Sequence, residues 1–194
     1  MARTPSTMVP LGTSAPDFAL PDTISGRRVE LAGFEGKKAL LVIFLCNHCP
    51  FVIHVREGLV ARGRDYEKRD VAIVAISAND PETHPDDAPD RLGAESKRLG
   101  YRFPVLFDES QEVAKAFGAA CTPDFFLYDE ERRLVYRGQL DGSRPGNDVP
   151  VTGSDLRAAI DAVLLGLPVA AKQTPSLGCN IKWRPGNEPR FSVG

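Results

Sequence analysis

Two cysteines separated by two residues are the most chemically suggestive feature of this chain. Residues 46–49 are Cys-Asn-His-Cys. A pair at this spacing can close a disulfide, or it can supply two thiolates to zinc or to an iron–sulfur cluster. A metal site needs further ligands at comparable spacing, whereas the other two cysteines, Cys121 and Cys179, stand alone in the sequence. The spacing therefore favours a redox pair, with no metal and no cofactor expected.

The elements predicted around the pair support the redox interpretation. Residues 38–45 form a continuous apolar run, which is typical of a strand buried on both faces of a sheet. Apolar residues recur at helical spacing over 50–65. A thiol at the start of a helix meets unpaired N–H groups and the positive end of the helix dipole, both of which stabilise a thiolate. We predict that Cys46 is the nucleophile and that Cys49, one helical turn further on, is the more buried resolving thiol.

His48 completes the predicted catalytic set of Cys46, Cys49 and His48. A protonated imidazole would stabilise the Cys46 thiolate, and stabilising the reduced form makes the disulfide a stronger oxidant. We place His54 and His84 outside the site. His84 belongs to the acidic loop 79–90, which we interpret as a solvated loop.

Strand and helix patterns alternate along the rest of the chain, which indicates an α/β fold. Further strands are predicted at 71–76, 103–107, 124–128 and 133–137, the last two as a hairpin, and further helices at 91–99, after Gln111 and from Ser154. We divide the chain into an N-terminal leader (1–14), one domain (15–166) and a C-terminal tail (167–194).

Composition excludes several classes of function. The chain has 194 residues, which suits one well-buried core, and its 24 Lys plus Arg nearly balance its 26 Asp plus Glu. No basic cluster predicts nucleic-acid binding. The sequence has no apolar segment typical of a signal peptide or a membrane span, so we expect a cytoplasmic protein with no membrane partner. In a reducing compartment a close cysteine pair is more often catalytic than structural.

The motifs resemble those of the thioredoxin superfamily, in the redoxin branch that includes alkyl hydroperoxide reductase, thiol-specific antioxidant and TlpA-like proteins. The stretches that carry the resemblance are the Cys-Asn-His-Cys motif with its strand, APDFALPD (15–22), VAIVAIS (71–77), FPVLFD (103–108) and TPDFFLYD (122–129). The resemblance implies a thioredoxin-like fold, with a central mixed β-sheet flanked by helices, an N-terminal β-hairpin and a C-terminal extension.

The resemblance also implies a cis peptide at Pro123, placed against the redox pair. Such a peptide would expose backbone groups of Thr122 beside Cys46, where an extended substrate can pair. We therefore assign Asn47, Thr122 and Pro123 to substrate binding.

The chain departs from the family pattern at three positions. Leu40 stands where thioredoxins carry a buried Asp, which leaves the proton acceptor for Cys49 unassigned, and Leu45 replaces the usual aromatic residue before the pair. Peroxiredoxins need a hydroxyl three residues before the reactive cysteine, and Ile43 occupies that position before Cys46. Direct peroxidase chemistry is therefore disfavoured.

The two remaining cysteines have two interpretations each. Cys121 precedes Pro123 by two residues and is either a small buried apolar residue or an additional thiol near the pair. Cys179 is either an inert tail cysteine or a thiol that folds back and resolves a mixed disulfide.

The predicted function is thiol–disulfide exchange through the Cys46–Cys49 pair. Its expected partners are protein disulfides or small thiols and an upstream thiol reductase. A peroxidase-like antioxidant enzyme is the first alternative. A metal or iron–sulfur carrier that uses the same cysteines, with Cys121 or His48, is the second.

Overall fold

The computed structural model describes residues 3–189 and has a central sheet of five strands. Its strands are β4 (Ala39–Phe44), β5 (Val71–Ser77), β6 (Val105–Phe107), β8 (Asp124–Tyr128) and β9 (Leu134–Gly138). They lie in the order β6-β5-β4-β8-β9, with β4, β5 and β6 parallel to one another and β8 and β9 antiparallel to their neighbours. The sheet is mixed, as predicted.

β4 lies at the centre of the sheet because every one of its side chains is apolar. All six residues from Ala39 to Phe44 are buried, so the strand packs on both faces. Leu40, Val42 and Phe44 contact one core layer, while Leu41 and Ile43 contact the other. The strand therefore delivers the residues that follow it to a fixed position at the edge of the core.

Within residues 3–189, four α-helices cover the sheet. They are α1 (Pro50–Tyr66), α2 (Pro89–Leu99), α3 (Glu112–Ala116) and α4 (Ser154–Leu164). The predicted N-terminal hairpin is present as β2 (Ala19–Pro21) and β3 (Arg28–Glu30). Among the described helices, none is long and apolar enough to cross a membrane.

A second, three-stranded sheet joins the two ends of the chain. β1 (Arg3–Pro5) pairs with β10 (Leu177–Asn180), which in turn pairs with β7 (Cys121–Thr122), all antiparallel. Ile181 and Trp183, just after β10, pack against the apolar layer that contains Phe126. The tail is thus ordered from β10 to Trp183, and the leader and the tail lie together beside β7.

Candidate functional site

The cysteine motif connects the end of β4 to the beginning of α1. The helix begins at Pro50, whose missing N–H is not needed in a first turn, and Cys49 is the N-cap residue. The expectation that Cys46 is the thiol at the start of this helix is therefore wrong. Cys49, rather than Cys46, is the cysteine at the positive end of the helix.

Thr122 brings the two thiols into one hydrogen-bonded group. The Cys46 Sγ and the Thr122 Oγ1 are 3.3 Å apart, and Cys49, when protonated, donates to the Thr122 carbonyl oxygen at 3.1 Å. The peptide between Thr122 and Pro123 is cis, as the resemblance implies. The residues predicted from two distant parts of the sequence therefore meet at one site.

The hydrogen bonds favour a thiolate at Cys49 over one at Cys46. Donation from Cys46, together with bonds from Cys179 and the Val52 N–H, lowers the pKa of Cys49. The hydrogen bond to Cys49 and burial both raise the pKa of Cys46. The proton of the pair thus lies on Cys46, which differs from the predicted thiolate at Cys46. The reason is that the N-cap position belongs to Cys49.

Asp87 is the functional residue that the sequence analysis missed. It lies in a short 3₁₀ helix (Pro85–Asp87) and is fully buried, although we interpreted its loop as solvated. One carboxylate oxygen accepts the backbone N–H of Asn47 at 2.7 Å. The other accepts Asn79 Nδ2 at 2.8 Å and lies 2.5 Å from His48 Nδ1. Asp87 therefore fixes both the backbone and the imidazole of the motif.

The contact with Asp87 defines the charge state of His48. The hydrogen bond to Asp87 raises the pKa of His48, although partial burial opposes the shift. Burial alone would raise the pKa of Asp87, but the hydrogen bonds from His48 and Asn79 hold it below its usual range. The two groups therefore form an imidazolium–carboxylate pair beside Cys46.

His84 also belongs to the site, contrary to the sequence analysis. Its ring stacks on that of His48 with a centroid distance of 4.7 Å. Burial and the neighbouring charge of His48 lower the pKa of His84. A neutral His84 therefore covers one face of the charged His48.

The other predicted residues take the following positions. Asn47 is partly buried, and its side chain donates to the Asp86 carbonyl oxygen at 2.9 Å. Cys121 is fully buried, and its thiol donates to the Pro123 carbonyl oxygen at 3.7 Å. Burial raises the pKa of Cys121, which fits the interpretation as a small buried residue.

Cys179 folds back onto the pair, as one of its two interpretations required. The residue is 3% exposed, lies opposite Thr122 in the β10–β7 register, and hydrogen-bonds to Cys49. The same pairing covers the backbone of Thr122. The expectation that Thr122 presents an open edge to substrate is therefore wrong for this conformation, because β10 already occupies that edge.

One group of described residues has the composition of a metal site. Ligand atoms of Cys46, His48 and Asp87 all lie within 4.8 Å of one another. Sulfur, imidazole and carboxylate ligands suit zinc with an open fourth position. Both Asp87 oxygens already accept hydrogen bonds, however, so an ion would have to displace the bond between Asp87 and His48. A carrier would use this group rather than the predicted Cys121.

The fold shows why an apolar residue can stand at position 40, where thioredoxins carry a buried Asp. Leu40 is fully buried in the apolar layer on the other side of β4 from Cys46 and Cys49, so no carboxylate enters the site there. The His48–Asp87 pair instead places a titratable group within 4.8 Å of Cys46. Because His48 is already protonated in this pair, it stabilises a thiolate by its charge and does not accept the thiol proton.

Comparison with solved structures gives a closely similar fold. The crystal structure of an uncharacterized conserved protein from Geobacillus kaustophilus is 52% identical, covers 96% of this chain and 98% of its own, and superimposes with a TM-score of 0.94. A thiol:disulfide interchange protein of the thioredoxin family from Chlorobium tepidum covers 79% of this chain and 97% of its own at 20% identity, with a TM-score of 0.61. The thioredoxin-like fold is thereby confirmed.

Comparison with curated sequences gives a more distant relative with a named activity. The thiol-disulfide oxidoreductase ResA from Geobacillus thermodenitrificans is 28% identical over 133 residues, which are 68% of this chain and 70% of the relative. The model of the AhpC/TSA family matches residues 11–137. This match spans the hairpin, the cysteine motif, Asp87 and the cis proline. The chain therefore belongs to the AhpC/TSA family of redoxins, within the thioredoxin superfamily.

Proposed function

We propose that this protein is a thiol–disulfide oxidoreductase that cycles between a Cys46–Cys49 dithiol and disulfide. The observation that carries the proposal is the shared hydrogen-bond group of Cys46, Cys49 and Thr122 beside the cis peptide. Two thiols that share one proton at a helix N-terminus have a thiolate available near neutral pH. The named activity of the ResA relative supports the same reaction.

The sequence of steps follows from where each sulfur lies. Both cysteines are buried in this conformation, at 1% exposure for Cys46 and 0% for Cys49. Cys46 precedes the partly exposed Asn47 and His48, whereas Cys49 is the N-cap residue of α1. We assign Cys46 as the sulfur that attacks a substrate disulfide. Its proton passes to the Cys49 thiolate, and one substrate sulfur leaves as a thiolate. Cys49 then attacks Cys46, closes the disulfide and releases the second substrate thiolate.

Asp87 acts as a positioning residue in this scheme. It holds the Asn47 backbone and the His48 ring, and it does not contact the reacting sulfurs through any hydrogen bond of the described residues. The imidazolium stabilises the negative charge that develops on the sulfurs during exchange. Protein disulfides or small thiols are the proposed substrates, and an upstream thiol reductase is the proposed source of electrons.

Reduction of insulin disulfides tests the proposal. With a dithiol such as dithiothreitol as reductant, we expect catalysis by the native protein and none above background by Cys46→Ser. Incubated with insulin without added dithiol, the Cys49→Ser variant should accumulate a mixed disulfide between Cys46 and substrate, because the thiol assigned to resolve it is absent. Cys121→Ser is the matched control, since Cys121 is buried away from exchange, and it should keep native activity. Native activity in Cys46→Ser would refute the assignment.

A peroxidase reaction remains a second candidate because of one contact. The hydroxyl that the sequence lacks at position 43 is supplied by Thr122, whose Oγ1 lies 3.3 Å from Cys46. The named activity of the ResA relative favours disulfide exchange over this function. We expect hydrogen peroxide to be consumed far more slowly than insulin disulfides are reduced. Faster peroxide turnover that depends on Cys46 would reverse the ranking.

The cellular location is a separate proposal. We propose the cytoplasm, on the basis of the cysteine usage described above. Fractionation of cells that express the tagged full-length chain tests this. Recovery in a membrane or extracytoplasmic fraction would contradict it.

A further inference from the structure

The C-terminal strand β10 takes the place that an extended substrate would occupy. Its residues Cys179 and Asn180 pair with Thr122 and Cys121, the two residues directly before the cis proline. Strand addition at such an edge is a common mode of peptide recognition. The protein's own chain therefore sits at the edge where the family resemblance places a substrate.

Hydrogen bonds fix β10 on both sides of this edge. The Ser176 hydroxyl donates to the Pro123 carbonyl oxygen at 2.6 Å, and the Ile181 N–H donates to the Ala120 carbonyl oxygen at 3.1 Å. Between these bonds, Gly178 lies so close to the Thr122 carbonyl oxygen that a Cβ at position 178 would overlap it. Only glycine permits this approach. The strand is therefore seated against the redox site by a built contact rather than by chance proximity.

The seating of β10 places a third sulfur beside the pair. Cys46, Cys49 and Cys179 belong to one buried cluster, and Cys179 lies opposite Thr122, which contacts both other thiols. Cys46 and Cys179 both lower the pKa of Cys49. Cys49 is thus the central member of three buried thiols, with a possible disulfide partner on each side. Cys121, by contrast, bonds to the Pro123 carbonyl oxygen, and no hydrogen bond joins it to the other described thiols.

We propose that Cys179 is a third exchanging thiol and that the oxidised protein interconverts between a Cys46–Cys49 and a Cys49–Cys179 disulfide. The inference rests on the proposed function, since it needs the Cys46–Cys49 disulfide as its starting point. The Cys179 sulfur loses its proton and attacks Cys49 Sγ. The bond from Cys49 to Cys179 forms, the bond from Cys49 to Cys46 breaks, and Cys46 leaves as a thiolate that takes up a proton. One disulfide replaces another, so no external oxidant or reductant is needed.

This exchange would have two consequences for the site. Cys46 would become a free thiol again while Cys49 and Cys179 remain oxidised. Cys46 could then react with a second substrate disulfide. The new bond would also tie β10 covalently to the N-cap of α1, which fastens the strand across the substrate edge. The edge would then open only in forms that lack the Cys49–Cys179 bond.

Peptide mapping of the oxidised protein tests the inference. The full chain is equilibrated in glutathione buffers of stepped potential, quenched in acid, alkylated and digested with trypsin. Cys46 and Cys49 share the peptide 39–56, Cys179 lies in 173–182 and Cys121 in 116–132. A Cys46–Cys49 bond therefore closes within one peptide, whereas a Cys49–Cys179 bond links two. We expect both products in the oxidised native protein.

The Cys46→Ser variant sharpens the test because it removes the competing disulfide. We expect oxidation to convert this variant to the 39–56/173–182 cross-link, at a rate well above that of any cross-link to 116–132. Cys121→Ser should give the same products as the native chain.

The outcomes separate the two proposals. If the Cys46–Cys49 bond forms but no cross-link to 173–182 appears in the native protein or in Cys46→Ser, the inference fails and the proposed function stands. If the native protein forms neither bond, both fail. A cross-link from Cys179 to Cys46 instead of Cys49 would also overturn the inference, because it would contradict the central position of Cys49.

Discussion

Replacing His48 by alanine should make the Cys46–Cys49 pair a weaker oxidant. The imidazolium lies within 4.8 Å of Cys46, and the charge of Cys49 also acts on it. Two unit charges about 5 Å apart, at an effective dielectric constant of about 20, interact by roughly 3 kcal/mol. The His48 side chain is 22% exposed, so we halve this value for solvent screening. The reduced form should therefore lose about 1.5 kcal/mol of stabilisation relative to the disulfide.

The expected change in the reduction potential follows directly from this energy. For a two-electron couple, about 1.4 kcal/mol corresponds to about 30 mV. Because the reduced form is the one destabilised, the potential of His48→Ala should become more negative by about 30 mV. The removal of His48 also leaves the buried Asp87 carboxylate without its cationic partner near the sulfurs, and this negative charge would make the reduction potential still more negative.

An equilibrium titration against glutathione at pH 7 measures the shift. His54→Ala is the matched control, since His54 lies in α1 and hydrogen-bonds to Ser143 rather than to the motif. The control should keep the native potential. An unchanged potential in His48→Ala, or a shift to a less negative value, would refute the role assigned to the imidazolium.

Three further predictions concern Asp87, Gly178 and Asp124. Asp87→Asn should lower the pKa of His48, measured by NMR of the imidazole, and an unchanged His48 titration would contradict the ion pair. The native Asp87 carboxylate stabilises the folded state above the unfolded pKa of Asp, and this stabilisation is lost as the pH falls through the lowered folded pKa. The variant should lack this pH-dependent part of the free energy of unfolding. Gly178→Ala should displace β10 from Thr122 and raise the rate at which iodoacetamide alkylates the cysteines of the folded protein. Gly142→Ala is the control, because a Cβ at position 142 would meet no atom within 4 Å, and it should keep the native rate. Equal alkylation rates in the two variants would contradict the close packing of β10 on Thr122. Burial raises the pKa of Asp124 to about 7, so the folded state prefers the protonated carboxyl. The free energy of unfolding should therefore fall as the pH rises from about 4, the unfolded pKa, to about 7, the folded pKa. Asp124→Asn should therefore be more stable than the native protein at pH 8, by up to about 4 kcal/mol in urea unfolding, and the absence of any difference in pH dependence would contradict the buried carboxyl.

The central elements of the fold were predictable because their signals are local. β4 and β5 are continuous apolar runs, and the apolar periodicity after Cys49 predicts α1 almost to its last residue. The cysteine pair, Thr122 and the cis Pro123 were also placed correctly, although the last two needed the family resemblance. Local pattern alone would not have brought residues 46 and 122 together.

The residues that sequence analysis missed are those whose roles depend on contacts between distant segments. Asp87 and His84 belong to a loop of charged and proline residues, and such a composition normally indicates a solvated segment. The loop instead folds under the cysteine motif because Asp87 meets two backbone N–H groups of that motif and the His48 ring. An Asp flanked by other acidic residues gives no local signal of this burial.

The pairing of β10 was hidden for a similar reason. Four residues, Leu177–Asn180, are too few to show a strand period, and Gly178 lowers the strand propensity further. The glycine is required by the close approach to the Thr122 carbonyl oxygen, which no local pattern could indicate. The expectation that Cys46 lies at the start of α1 failed because the N-cap residue is Cys49. This difference changed which thiol was expected to be the thiolate.

The most direct test of the proposed activity is an equilibrium redox titration in which peptide mass spectrometry reports the state of each cysteine. The account predicts that a Cys46–Cys49 disulfide forms as a two-electron couple, and that Cys121 stays reduced over the same range of potential. If no Cys46–Cys49 disulfide forms at any potential, or if both thiols remain reduced until a bound metal is removed, the site is not a thiol–disulfide exchange centre.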